Sequence, residues 1–317
     1  MEFNIDKQTV QNKSHLLEHF RKLVEEKRKN ITKKVNNAPQ KLSNEKHKLE
    51  AKEINTAIYQ IKEGFVRRVI ETARENNWND QEKLSSLLFV VYCSQVVMLD
   101  LRHQVWAYEY MAFSRRVGEL WEDFVKLPFL HPPRTVDLVE FVPPLFSDVI
   151  KNLKQSTEEY ISVLPISLKQ KHDLMKYYEK VWVLINTGNI SLELDFHATI
   201  RGKKFNIDFK SGFGSNEKGN TNRMLMIATI YCSLSDEYNN VSFIRAEEDS
   251  NNHYFRTLKE SGVWSAYCGH QAYRKIADFT EFDIHNWINS NIDWEHDLLN
   301  RTVQDFTNRN LMGYLQW

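Results

Sequence analysis

Apolar side chains recur at steps of three and four through the first third of the chain. Leu16, Phe20, Leu23, Val24 and Ile31 keep helical spacing, and Pro39 closes that element. Ile54, Ile58, Ile61, Phe65 and Val69 form a second amphipathic stripe. Residues 84–99 are apolar apart from Ser85, Ser86, Ser94 and Gln95, a run too short to cross a bilayer comfortably, which predicts a buried helix. The helical period continues over 101–126 with an aromatic stripe (Trp106, Tyr108, Tyr110, Phe113, Trp121) that core packing explains. Between Pro128 and Pro144 lie five of the seven prolines, which predicts a linker or an irregular crossing. Helices are predicted to resume near Ser147 and at Ser167, where Ser167 and Gln170 make a capping box. The second runs to about Ile185 and is closed by Thr187, Gly188 and Asn189.

Beyond Asn189 the period changes to two. Residues 191–200 alternate strictly, and so do 205–210, with Arg201, Gly202, Lys203 and Lys204 between them. This predicts a β-hairpin, and glycine in first place suggests a II′ turn at Gly202-Lys203. In that register Arg201 faces Lys204, His197 faces Asp208 and Asp195 faces Lys210. One face is then Leu194, Phe196, Ala198, Ile200, Phe205, Ile207 and Phe209, which has to pack on a core. The other gathers Glu193, Asp195, His197, Thr199, Asn206, Asp208 and Lys210, with two carboxylates and an ammonium close together.

Composition narrows the class. Gly and Pro together are only 17 of 317 residues, and the 42% apolar content suffices for a large core, so collagen-like and disordered classes are excluded. The three cysteines share no close spacing, which argues against a disulfide framework or a zinc cluster. The polar N-terminus lacks a signal-peptide core and points to a cytoplasmic protein with no membrane partner. Net charge is zero, yet between Arg21 and Lys52 eleven Lys/Arg stand against four Glu. That excess suits a polyanion or a solvated helical face. From Asp278 to Asp305 seven acids stand against Arg301 alone. With Trp264, Trp287, Trp294 and Trp317, this acidic stretch is expected to serve core packing or subunit association.

The spacing Asp195, twelve residues, Asp208-Phe209-Lys210 resembles the signature of the PD-(D/E)xK nuclease superfamily, best known from type II restriction endonucleases. Leu194 stands where the named motif has Pro. The pattern alone is common by chance; its setting on a hairpin, with a helix before it, sets it apart. A Gly-rich loop over 211–220, a helix over 221–233 and a strand over 240–245 complete the order of that superfamily's core. The resemblance covers about 167–250. It implies an α/β (α+β) fold, a restriction-endonuclease-like mixed sheet flanked by helices. A helical region over 1–150 would make DNA or dimer contacts, and 151–317 would hold the nuclease core with a helical extension.

The resemblance further implies Mg²⁺-dependent cleavage of double-stranded DNA at a specific site by a homodimer, with Mn²⁺ able to substitute. Asp195, Asp208 and Lys210 would be catalytic. Asp195, Asp208 and the Phe209 carbonyl would hold the metal, since hard cations take oxygen ligands. Glu193 and Glu179 are candidates for a further metal contact. Asn216, Lys218, Asn220, Asn222 and Arg223, donor-rich and before a helix, are candidates for DNA phosphates. Two alternatives remain: a nuclease of repair, transposition or RNA cleavage, and a non-catalytic helical scaffold whose hairpin only resembles the site.

Overall fold

The computed structural model describes residues 5–37, 43–185, 190–214 and 217–317. The first five helices are α1 (Lys7–Gln11), α2 (Lys13–Asn36), α3 (Ser43–Glu75), α4 (Asp80–Val105) and α5 (Tyr110–Leu130), followed by the short strand β1 (Leu138–Glu140). Helices α6 (Phe146–Val163) and α7 (Leu168–Ile185) lead to strands β2 (Phe196–Ile200) and β3 (Lys203–Lys210). Then come α8 (Lys218–Leu234), β4 (Tyr238–Ile244), α9 (His253–Glu260), β5 (Ser265–Cys268), α10 (Gly269–Thr280), α11 (Ile284–Asn291), α12 (Trp294–Asp297) and α13 (Asn300–Asn308). The fold is mixed α/β, with a five-stranded sheet in the order β1-β2-β3-β4-β5. β1, β2 and β3 pair antiparallel, whereas β3, β4 and β5 run parallel through the crossovers α8 and α9.

The sheet separates two apolar cores. Phe196, Ala198, Ile200, Ile207, Phe209 and Phe243 join a large cluster with α2–α5, α10 and the C-terminal helices. This cluster is continuous across position 150, so helical bundle and sheet share one core. The opposite side packs Ile244, Leu192 and Leu194 against Met224, Ile227 and Tyr231 of α8 and Phe255 of α9. α4 is long and apolar enough to cross a membrane, but 89% of its apolar window is buried inside the fold, as a core helix requires. Its start is a reciprocal capping box, Asn79 Oδ1 accepting from Glu82 N at 2.8 Å and Glu82 Oε2 from Asn79 N at 3.1 Å. The Ser167–Gln170 box also forms, with Ser167 N donating to Gln170 Oε1 at 3.0 Å. The closing residues Thr187, Gly188 and Asn189, like Pro39, lie outside the described residues.

Several expectations are corrected. The helical stretch over 101–126 is broken at Trp106, where α4 ends and the chain turns into α5. Pro128 belongs to the last turn of α5, where it forfeits one backbone bond near a helix end and stays buried among apolar neighbours. The rest of the Pro-rich stretch contains β1, which covers the edge of β2. α8 begins at Lys218 rather than Thr221.

The hairpin turn is Arg201-Gly202, both with positive φ (50° and 76°), and Ile200 faces Lys203. That is the I′ pattern, whose twist matches the flanking strands, instead of II′ at Gly202-Lys203. His197 therefore faces Asn206, not Asp208. The pairing slips by two residues, an even number, so the division of 196–200 and 205–210 into faces survives.

Candidate active site

In the observed register, extending the pairing would set Asp195 directly across from Asp208, and opposed like charges disfavour a ladder. β2 instead starts only at Phe196, and Asp195 lies in a bend. The bend sends Leu192 and Leu194 into the second core, away from the face Leu194 was expected to share with Phe196. Tyr231 OH donates to Leu192 O at 3.1 Å and fixes this crossing.

His197 holds the bend from inside. Its Nε2 accepts from Leu194 N at 2.9 Å, which requires the proton to be on Nδ1, facing Asn206 Oδ1 at 2.9 Å. Asn206 Nδ2 donates to Asn240 Oδ1 at 2.9 Å, and Asn240 Nδ2 continues to Val263 O at 3.2 Å. Burial pushes His197 below the ordinary histidine range and keeps it neutral, as the chain of bonds demands. His197 is thus a positioning residue for the segment carrying Asp195.

Where β2 leaves, the end of β3 is open, and charged side chains fill the notch. Asp195 Oδ2 accepts from Phe209 N at 2.8 Å, so the Phe209 carbonyl, on the same edge of the strand, also faces this notch. Asp208 is 2% exposed, and its Oδ2 has no hydrogen-bond partner among the described residues; Lys210 Nζ stands 3.4 Å away as an ion pair. Ser242, paired with Asp208 in the sheet, likewise has a buried hydroxyl without a partner.

A helix completes the group. Gly118, Glu122, Lys126 and Phe129 form one stripe of α5 at helical spacing. Phe129 lies among Phe196, Phe209, Phe243 and Phe279, at 5.6–6.4 Å between ring centres, and seats the helix on the sheet. Gly118 allows the close approach: a Cβ there would stand 2.8 Å from Ser211 Oγ. Between these two contacts, Lys126 extends beside the Phe209 ring to within 3.5 Å of Asp195 Oδ1. Glu122, one turn before Lys126 on this stripe, feels the charges of Asp195, Lys210, Lys126 and Asp208.

The electrostatics reflect this crowding. Burial, then the Asp195 charge, pushes Glu122 up to about 7, against the opposing pull of Lys210 and Lys126. Asp208 is likewise raised, by complete burial first and by Asp195. Lys210 resists burial, which favours its neutral form. Asp208, Asp195, Glu122 and Glu217 outweigh that effect and hold it protonated above the ordinary lysine range. Three carboxylates and two ammonium groups therefore share a partly dry notch in which a carboxylate charge is uncomfortable.

The other expected residues fall differently. Glu179 is exposed on α7 and Glu193 is exposed before the bend. The helix acid facing the cluster is Glu122. Its signal in the sequence was a Glu and a Lys four apart on the same helical stripe as Gly118 and Phe129. Lys218 and Asn220 lie on the first turn of α8 instead of in the loop, Asn222 and Arg223 lie on α8 as expected, and Asn216 lies outside the described residues. Asn220 Nδ2 donates to Glu217 Oε2 at 2.9 Å, Arg223 reaches Glu193 O at 3.4 Å, and Lys218 and Asn222 are exposed.

Among the described residues, no three His, Cys, Asp or Glu side chains are drawn together tightly enough to grip a metal ion as they stand. The donor set is nonetheless of the right kind: hard oxygens, one of them buried and unbonded, beside carboxylates whose mutual repulsion a cation would relieve. No protein-family model matches this sequence, and no curated protein or solved structure matches it either.

Proposed function

We propose that this protein is a divalent-metal-dependent endodeoxyribonuclease of the restriction type, cutting double-stranded DNA. The observation that carries the reading is the convergence of Asp195, Asp208, Glu122 and Lys210 where β2 leaves β3, with Asp208 Oδ2 buried and lacking a hydrogen bond. Asp195, Asp208 and the Phe209 carbonyl would hold Mg²⁺, or Mn²⁺ in its place. Bound there, the cation would offset charge on the phosphodiester and lower the pKa of a water.

The chain's own residues supply the rest. Lys210, kept charged by its neighbours, stabilises negative charge developing on the phosphate oxygens, and its tight hold on its proton suits it poorly as a base. Glu122, close to neutrality, has the proton affinity of a general base at physiological pH and would receive the proton of the attacking water. Phe209 N–H and the His197 chain keep Asp195 aimed into the notch. Cutting both strands of a duplex is served most simply by a symmetric homodimer presenting two notches.

The test is incubation of the purified protein with large unmethylated DNA and Mg²⁺. Discrete, reproducible fragments are expected, lost on Asp208→Asn and on Lys210→Met while the circular dichroism spectrum is retained. Wild-type cleavage by Asp208→Asn would remove the assignment.

A further inference from the structure

The excess of positive charge between Arg21 and Lys52 is not absorbed by the notch. Part of it is satisfied internally: Arg21 pairs with Asp100 of α4 at 3.0 Å and donates to Asp297 O at 2.5 Å, where the basic N-terminal and acidic C-terminal stretches meet. Lys48 and Lys52 have a different setting. They stand exposed on α3 at the rim of a cavity of about 480 Å³ walled by the end of α4 and the start of α5. Arg102, Arg115 and Arg116 line the same cavity, and the acid among its lining residues is Glu119, which both Arg115 (3.0 Å) and Arg116 (2.7 Å) share.

Its floor is aromatic. Lys48 and Arg102 lie over the Trp106 ring at 5.1 and 5.2 Å, and Arg102 lies over Tyr108 at 3.8 Å. Tyr108 N donates to His103 Nδ1 at 3.0 Å, and His103 Nε2 meets Asp305 Oδ2 at 2.5 Å, which ties this corner to α13. One polar atom lining the cavity, Asn55 Oδ1, is buried without a hydrogen-bond partner among the described residues. A neighbouring cavity of about 300 Å³ shares Asn55, Thr56, Arg116 and Glu119 and adds Lys62 and Asp123. The two together present six cations against two acids.

We propose that this groove between α3, α4 and α5 binds the phosphodiester backbone of DNA, a deepening that rests on the nuclease reading above. Its form is a track, not a cup. At 1.5 Å per residue, Lys48 to Lys62 spans about 21 Å along α3, room for several successive phosphates. Lys48 and Lys52, without an ion-pair partner among the described residues, favour a polyanion, and a Trp beneath Lys48 offers a flat surface to an exposed sugar or base. The groove and the notch use different sides of one helix: Arg116 and Glu122 are about 9 Å apart along α5 and about 120° apart around it. One helix would therefore carry the backbone contact on its flank and the catalytic carboxylate on its sheet-facing stripe.

The experiment is equilibrium binding of a fluorescent DNA duplex, followed by anisotropy across a salt series in EDTA so that nothing is cut. Full-length wild type is compared with Lys48→Glu/Lys52→Glu and with Lys151→Glu/Lys154→Glu on α6, all checked for folding by circular dichroism. Loss of two phosphate contacts is expected to lower affinity at least about tenfold and to reduce the log–log salt slope by about two. The α6 variant should bind as wild type does. Wild-type affinity and slope in the α3 variant, or equal loss in the α6 variant, would overturn the groove. Asp208→Asn separates the two ideas. Binding that depends on Lys48 and Lys52 without any Mg²⁺- or Mn²⁺-dependent cleavage by wild type keeps the groove and removes the nuclease. Cleavage lost in Asp208→Asn, with binding indifferent to Lys48 and Lys52, does the reverse.

Discussion

Replacing Glu122 by Gln removes one negative charge from the notch while keeping the shape of the side chain, so it measures what the crowding of carboxylates costs the fold. Burial and the Asp195 charge hold the Glu122 carboxyl at about 7, against 4.5 for an unhindered glutamate. The folded protein therefore grips this proton more tightly than the unfolded chain does. Its charge imposes no penalty below pH 4.5, a growing one as pH rises, and the full one above about pH 7. The full displacement corresponds to about 3 kcal/mol. Glu122 keeps some access to solvent, and screening there reduces the expected figure to about 1–2 kcal/mol. In EDTA at about pH 8, Glu122→Gln should accordingly be more stable than wild type by that amount in urea denaturation, with an unchanged m value. Near pH 4.5 the two curves should converge as wild type takes up its proton. Cleavage should be lost at every pH, the trade of stability against activity expected of a functional cluster. A variant less stable than wild type at about pH 8, or a gap that does not narrow toward acid, would refute the claim that these carboxylates oppose one another.

Two further predictions concern what places the site. Gly118→Ala sets a methyl 2.8 Å from Ser211 Oγ and 3.1 Å from its Cβ, so α5 must shift by a few tenths of an ångström. A stability loss of about 1 kcal/mol is expected, together with a larger fall in cleavage; Ser211→Gly in the same chain should restore both, and failure to do so would show that the contact does not set the helix. His197→Ala strands Leu194 N–H and Asn206 Oδ1 inside the protein, at a cost of about 2–4 kcal/mol by denaturant titration. In isothermal titration it should also weaken Mn²⁺ binding, which a purely structural histidine would leave unchanged.

Much of this protein was legible from residue order alone, because the signals involved are local. Steps of three and four placed α2, α3 and α4, and the Ser167–Gln170 box marked the start of α7. The switch to period two separated the apolar face of β2 and β3 from the face carrying His197, Asn206, Asp208 and Lys210. That division survived an error in the turn because parity depends only on alternation, which a slip of two leaves intact. Pairing Asp208 with Lys210 on one face followed from the same rule.

What lay beyond reach depends on groups distant along the chain. The departure of β2 at Asp195 results from opposing Asp208 across a register set by Arg201 and Gly202 in the left-handed region. Glu122 and Lys126 enter the notch because Gly118 lets α5 approach Ser211 and Phe129 anchors it among the sheet's phenylalanines. In sequence they are a charged pair in a helix, seventy or more residues from the strands they face. Likewise the charge excess of the N-terminal stretch is divided by tertiary packing. Arg21 goes to Asp100, while Lys48 and Lys52, without an ion-pair partner among the described residues, stand with Trp106 around one cavity. Periodicity records which side of an element is buried; which charges then share a space is decided only when elements dock, because Coulomb interactions act across distances that the order of residues does not encode.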